Sequence, residues 1–323
     1  MSALKPMLLE RKVLPKVWGG RALEQVIGLS LPPGEAIGET WELFDRPEGS
    51  SPIRGGGTLA ELMRTDAEAL LGRGVARGHG GRFPLLLKFI DARDALSVQV
   101  HPDDAQAKVE GDSGKDEAWL VLQTGPQARI IRGCRPGVAR EQFAEVAHTP
   151  AVEELLWAFR PQVGDVIHVP PGTVHAIGPD VVVFEVQQNS DVTYRLYDWG
   201  RPREVHVQKA LAVTALGERA ATTERPVVEP TNLPDGGIEL IATEHFRLRR
   251  YELQRPFTLS TNGCFATVTV LGGRGMLGWR SGGSDAPIQL TAGDTVLVPA
   301  AVESVFLSSI GRLDVAIASP GGV

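Results

Sequence analysis

The stretch LSVQVHPDD, residues 96–104, sets Ser97, Gln99 and His101 on alternate positions, with Leu96, Val98 and Val100 between them. Successive side chains of a β-strand point to opposite faces, so the serine, glutamine and histidine share one face and the aliphatic residues the other. Side chains two apart on one strand face are close enough to share an ion. A solvated face or a self-satisfied polar pair is the alternative reading. Lys115 and Glu117 lie two apart in GKDEAWLVL, His175 follows a Pro-Pro-Gly turn, Arg195 sits in the aromatic stretch TYRLYD, and Lys88 interrupts an apolar run in LLLKFID. Each has a structural alternative. Lys115 reads equally as an exposed turn lysine after GDSG, and Lys88 as a strand-end salt bridge.

The elements that must position these residues are mostly short strands. GETWELF (38–44), LSVQVH, EAWLVLQ (117–123), DVIHVP (165–170), DVVVFEVQQ (180–188) and VTYRLYDW (192–199) are each bounded by Gly, Pro, Asp or Asn. Helical spacing is predicted over TLAELMRTDAEALLG (58–72), over VAREQFAEVAHTPAVEELLWAF (138–159) with a break at Pro150, and over REVHVQKALAV (203–213). A polar, Pro- and Gly-rich connection comes next at about 216–236, and then more strands: FRLRRYELQ, CFATVTVLGG, DTVLVPA and DVAIAS. The expected organisation is a first unit over 1–220, a linker over 221–235 and a second β unit over 236–323. GDVIHVPPGTVHAIG from Gly164 and GDTVLVPAAVESVFL from Gly293 form an internal repeat. Both run Gly-Asp, four residues, Pro. Five residues past the proline the first copy has His175 and the second Ser304.

Composition narrows the partners. At 42% apolar and 22% charged residues over 323 positions the chain is an ordinary globular protein. A formal charge of −6 argues against a general nucleic-acid binder, though a local basic pocket for a small anion is compatible with it. The opening residues break their apolar positions with Lys5, Glu10, Arg11, Lys12 and Lys16, giving no signal-peptide core, and no later run approaches a membrane span; a cytoplasmic protein is expected. Only Cys134 and Cys264 occur, too few for a thiolate metal site, so a metal would need nitrogen and oxygen ligands.

Gly164, Pro170, Gly172 and His175 fit the second motif of the cupin superfamily, and Gln99, His101 and Glu117 fill the places of its first motif with glutamine where many cupins have histidine. KVWGG, IGETWEL, LLLKFIDARDALSVQVHPDD, GKDEAWLVL, VPPGTVHAIG and EVQQNSDVTYRLYDWGR together resemble the type I phosphomannose isomerases in their short bacterial form. That resemblance implies a mainly β fold of tandem cupin (double-stranded β-helix, jelly-roll) barrels, with a few helices appended to the first. It implies one divalent cation per chain, zinc in the family, held by Gln99, His101, Glu117 and His175; such ligands would also accept another divalent metal. Arg195 and Lys115 match catalytic residues of the family, and Ser97 and Lys88 are candidate substrate contacts. The implied reaction interconverts mannose 6-phosphate and fructose 6-phosphate through a cis-enediol, in a monomer or homodimer that needs neither nucleic acid nor membrane. A non-catalytic or differently specific metal-cupin binding a sugar phosphate is the alternative; a dioxygenase would want three histidines. Arg201 stands six residues past Arg195, where the better-known members have a lysine. His79, His148, His206 and His245 are expected to be structural or solvated. His168, on the strand parity opposite His175, is expected to be packed or capped, and Trp18 and Trp41 to shape the pocket floor or the core. With Ser304 for the histidine and Ala301 for the motif glycine, the second unit is expected to be a degenerate cupin without metal.

Overall fold

The computed structural model describes residues 4–78, 81–216, 225–280 and 286–322. The expected end of the first unit at 220 and the first linker residues 221–224 lie outside the described residues, as does His79. The fold is mainly β, a tandem cupin with short helices. Two sheets face each other in the first half. The six-stranded sheet runs in the order Val166–Val169, Glu117–Thr124, Val181–Gln188, Leu85–Ala92, Lys12–Gly20, Ile37–Leu43, and the five-stranded sheet in the order Leu156–Phe159, Ile130–Cys134, His175–Ile177, Val98–Val100, Tyr194–Tyr197.

Alternation decides what each face buries. Odd-numbered positions of Glu117–Thr124 and Val181–Gln188 turn inward, so Trp119, Val121 and Val183 meet Ile130 and Ile177 of the facing sheet. Even-numbered positions turn outward: Ala118, Leu120, Phe184 and Val186 pack on Leu59, Met63 and Leu70 of a helix and on Phe246, Leu248 and Leu297 of the second half. The outer face of the five-stranded sheet packs Val98, Val100 and Ala176 against Phe143 and Ala210. Both sheets are thus buried on two faces, which is why their strands read as nearly unbroken apolar runs.

The helix Leu59–Leu71 begins at a Thr58–Glu61 capping box and ends at Gly72, a device of about 1 kcal/mol at its N-terminus. Its last carbonyls, those of Ala69, Leu70 and Leu71, accept backbone N–H groups from Ala301, Ala300 and Phe265. Groups that a helix end leaves unpaired are therefore satisfied by the second half of the chain. Gly72, at φ 90°, lies where a Cβ would come within 2.2 Å of the Gly263 carbonyl oxygen. The helical spacing over 138–159 is realised only in Arg140–Val146. Pro150 opens a 3-10 turn to Leu155, and Leu156–Phe159 is a strand paired with Ile130–Cys134. The sheet edge offers those residues hydrogen bonds that a short helix after Pro150 would lack. Val207–Val213 is helical as expected.

The second half is a nine-stranded sheet curled on itself. Its long strands Ala266–Trp279 and Ser304–Pro320 pair with one another along their length and change register at bulges, which bend them around one core. The N-terminal strand Met7–Leu8 joins this sheet by pairing with Leu297 and Val296. Among the described residues no helix is long and apolar enough to cross a membrane.

Candidate active site

In one register row of the five-stranded sheet, Arg132, His175, Gln99 and Arg195 stand side by side on neighbouring strands. Residues in register present side chains to the same face, here the barrel interior. The six-stranded sheet answers with Trp119, Glu185 and Lys88 in register and with Glu117 two residues before Trp119. Between the sheets lies a cavity of about 290 Å3 whose wall includes Lys88, Ser97, Gln99, Lys115, Glu117, His175 and Arg195. His101 completes the group behind Lys115, its Nε2 3.2 Å from the lysine Nζ. All eight candidate residues therefore converge.

His101, Glu117 and His175 offer ligand atoms that all lie within 4.8 Å of one another. His101 Nδ1 is 2.8 Å from the Val192 carbonyl and His175 Nδ1 2.9 Å from that of Thr173. A carbonyl only accepts, so each ring donates from Nδ1 and turns its Nε2 lone pair to the interior. Glu117 Oε1 is buried without a hydrogen-bond donor, 3.2 Å from His175 Nε2. Two lone pairs facing each other at that distance in a buried site call for a cation between them. One positive charge already stands among the donors, because the Lys115 ammonium donates to Glu117 Oε2. Gln99 Nε2 lies 3.2 Å from His175 Nε2, and its Oε1 accepts from Ser97 Oγ at 3.2 Å. An amide turned over exchanges these partners and presents oxygen to the cluster. The donor set thus fits a divalent cation with nitrogen and oxygen ligands.

Burial and charge set the protonation of the cluster. Burial, aided by Lys115, lowers His101, and burial pushes His175 down to about 3, so both rings are neutral at neutral pH. Burial alone would raise Glu117, but Lys115 and His101 outweigh it and hold its carboxyl well below the usual carboxylate range. Lys88 is held charged: burial opposes it, yet Glu185 and Glu39 raise it further. Burial pushes the Glu185 carboxyl up against the charges of Lys88 and Lys115.

Lys115 is 4% exposed, so its reading as an exposed turn lysine is overturned. Its loop is tied down by Asp112 on Arg46, by Gly114 N–H on Asp104 and by Lys115 N–H on the Pro102 carbonyl. Arg201 bonds Asp198 and the Ala95 carbonyl outside the cavity wall, and Arg203 lines the wall instead. His168 bonds Asp116 at 2.7 Å, away from the cavity, and His206 accepts the Arg195 backbone N–H. Trp18 lines the cavity, whereas Trp41 packs with Phe44 and Leu86. The cavity also holds Glu39, Glu185, Asp191 and Arg203, none of which the sequence singles out by motif. Glu185 carried a signal: it is a carboxylate inside the apolar run VVVFEV, the same anomaly that singled out Gln99 and His101.

Residues 7–120 match the catalytic domain family of phosphomannose isomerase type I. The chain is 32% identical over 286 residues to mannose-6-phosphate isomerase of Streptococcus mutans, covering 84% of this chain and 87% of that protein. It is 34% identical over 286 residues to mannose-6-phosphate isomerase ManA of Bacillus subtilis, covering 84% and 86%. The solved mannose 6-phosphate isomerase of Bacillus subtilis superposes with a TM-score of 0.83 at 29% identity, over 98% of this chain and 99% of that one. With identity sustained over so much of both partners, and a catalytic-domain match that takes in the strand of Gln99 and the start of that of Glu117, this chain belongs to the type I phosphomannose isomerases.

Proposed function

We propose that the cavity interconverts mannose 6-phosphate and fructose 6-phosphate, moving a proton between C1 and C2 through a cis-enediol. The reading includes one divalent cation held by Gln99, His101, Glu117 and His175; zinc is the metal that the family resemblance implies. When bound, the cation supplies Lewis acidity at the oxygens of C1 and C2. Lys115 and Glu185, 4.0 Å apart, are the pair this reading assigns to carry the proton at those carbons. Trp119 fixes Glu185 through its indole N–H at 3.0 Å, and Arg195 can bear the negative charge of an enediolate or of a phosphate. The observation that carries the reading is the meeting in one cavity of a nitrogen-oxygen donor set and two guanidinium groups, Arg195 and Arg203. A sugar phosphate asks for both.

The same reading has the protein cytoplasmic, acting as a monomer or homodimer on a small sugar phosphate, without nucleic acid or membrane. A net charge of −6 and two unpaired cysteines support it. It also has the second unit, from about residue 236, as a degenerate cupin without metal. The test is a coupled assay for fructose 6-phosphate on protein stripped by chelation and then reloaded. Turnover should vanish with the metal and return with it. Full turnover after verified metal loss would remove the cation from the mechanism, and no turnover in the loaded protein would leave a binding protein.

A further inference from the structure

Charge around the cavity is unevenly balanced. Lys16 lies 3.1 Å from Glu39, Lys88 lies 3.4 Å from Glu185, and Lys115 bonds Glu117. The turn formed by residues 195–203 instead carries three guanidinium groups, Arg195 and Arg203 on the cavity wall and Arg201 outside it, around one buried carboxylate, Asp198. Among the described residues the Arg195 side chain bonds only neutral acceptors, Ser97 Oγ at 3.2 Å and the Glu204 carbonyl at 2.7 Å. Positive charge is therefore concentrated on this turn, and Asp191 is the carboxylate of the cavity wall besides those beside the lysines.

The backbone fixes how that charge is presented. Trp199 and Gly200 both take positive φ, 56° and 79°, and turn the chain sharply back after Asp198. An indole hydrogen bond of 2.7 Å to the Leu96 carbonyl holds Trp199 in a left-handed conformation that a bulky residue disfavours. The loop closes where His206 N–H meets the Arg195 carbonyl at 2.7 Å. Inside it Asp198 grips Arg203 fork to fork, Nε to Oδ2 and Nη2 to Oδ1, both at 2.6 Å. Arg203 Nη1 has no acceptor among the described residues, and the side chain lines the cavity beside Arg195.

We propose that Arg203 binds the phosphoryl group of the substrate together with Arg195, and that Asp198 is the positioning residue that presents it. A guanidinium clamped along one edge keeps a planar pair of donors on the other edge, already oriented, so little freedom is lost when an oxyanion arrives. Lysine could not be held and donate in this way. The phosphoryl group is remote from C1 and C2, so its contacts are equal in ground and transition states. Losing one raises KM and leaves kcat.

The inference rests on the isomerase reading, and the experiment separates the two. Steady-state kinetics on mannose 6-phosphate and calorimetric binding of inorganic phosphate are measured on the metal-loaded full chain. The variants are Arg203→Gln, Arg203→Lys, Asp198→Asn and the Asp198→Asn/Arg203→Gln pair. Arg203→Gln should raise KM roughly 10- to 100-fold with kcat within about threefold, and weaken inorganic phosphate by a similar factor. Arg203→Lys should restore part of the loss. Asp198→Asn should raise KM several-fold alone and add little in the Arg203→Gln background, because it acts through that residue. Arg203 is partly exposed, so its variants keep the test alive if Asp198→Asn does not fold. Unchanged KM and phosphate affinity in Arg203→Gln, or a fall in kcat with KM unmoved, overturns the proposal. If the wild type forms no fructose 6-phosphate the isomerase reading fails, and phosphate affinity still decides: dependence on Arg203 upholds the inference, and independence overturns it.

Discussion

The two copies of the Gly-Asp turn and its strand are built alike and used differently. Gly164 and Gly293 sit at φ 93° and 89°. Gly164 N–H bonds the Val121 carbonyl at 2.9 Å and Val121 N–H bonds the Asp165 carbonyl at 2.9 Å; the second copy repeats both bonds between Gly293, Val270 and Asp294 at 2.8 Å. The aspartate side chain accepts the N–H three residues before it in each, from Gln162 and from Thr291. Even the strand pairing corresponds. Val169 faces Glu117 in the first copy, and Val298 faces Ala266 in the second. Ala266 therefore occupies the place of Glu117, and Ser304 that of His175. Around Ala266 the interior is packed with Val268, Val298, Val305 and Leu307.

The turn after the proline shows what the second copy does instead. In the first, Gly172, at φ 82°, donates its N–H to the His101 carbonyl at 2.8 Å, fixing the backbone of a candidate site residue. In the second, the N–H of Ala301 caps the helix Leu59–Leu71 through the Ala69 carbonyl at 2.9 Å. One backbone donor, at one position of one motif, serves a site in one unit and docking in the other. Backbone geometry and site chemistry are separable, because the turn depends on glycine and aspartate while the chemistry depends on inward-facing side chains alone.

The comparison breaks most visibly if the units are exchanged residue by residue. His175→Ser, which installs the residue of the second copy, should abolish metal retention and lower turnover by roughly 10³-fold or more while the fold persists. Metal analysis and circular dichroism beside the coupled assay check it, and a variant that keeps its metal would detach His175 from the site. The reverse exchange, Ala266→Glu, should bind no metal and cost about 3–5 kcal/mol, because it buries a carboxylate among aliphatic side chains without a partner. Urea denaturation and metal content measure it. A second bound metal in that variant would show that the second unit lacks only one ligand. The smallest effect sharpens the parallel: Gly164→Ala should cost about 1 kcal/mol from backbone strain alone, since its Cβ meets open space. Gly293→Ala should cost more in the same melting experiment, because its Cβ would come within 2.8 Å of the Arg11 guanidinium.

Features that neighbouring residues settle among themselves are legible in the order of the chain. The period-two alternation placed Gln99 and Ser97 on one face, the Gly-Asp and Pro punctuation bounded both copies of the repeat, and the apolar spacing over 58–72 marked the helix whose start the Thr58–Glu61 capping box forms. Strand sterics and turn chemistry act over a few residues, so these features can be read from local order. The convergence of Lys115, Glu117 and His175 needed a motif as well as an alternation, since register between strands is not written in either strand. The remaining features depend on contacts between distant segments. The strand Leu156–Phe159 took sheet over helix because an unpaired edge lay beside it, and the choice of Arg203 over Arg201 at the cavity depends on which guanidinium the loop after Trp199 turns inward. Pairing of Met7–Leu8 with Leu297 and Val296 joins residues nearly a whole chain apart. Charge partners and docking faces are properties of proximity, and proximity between distant segments is settled only when the sheets close.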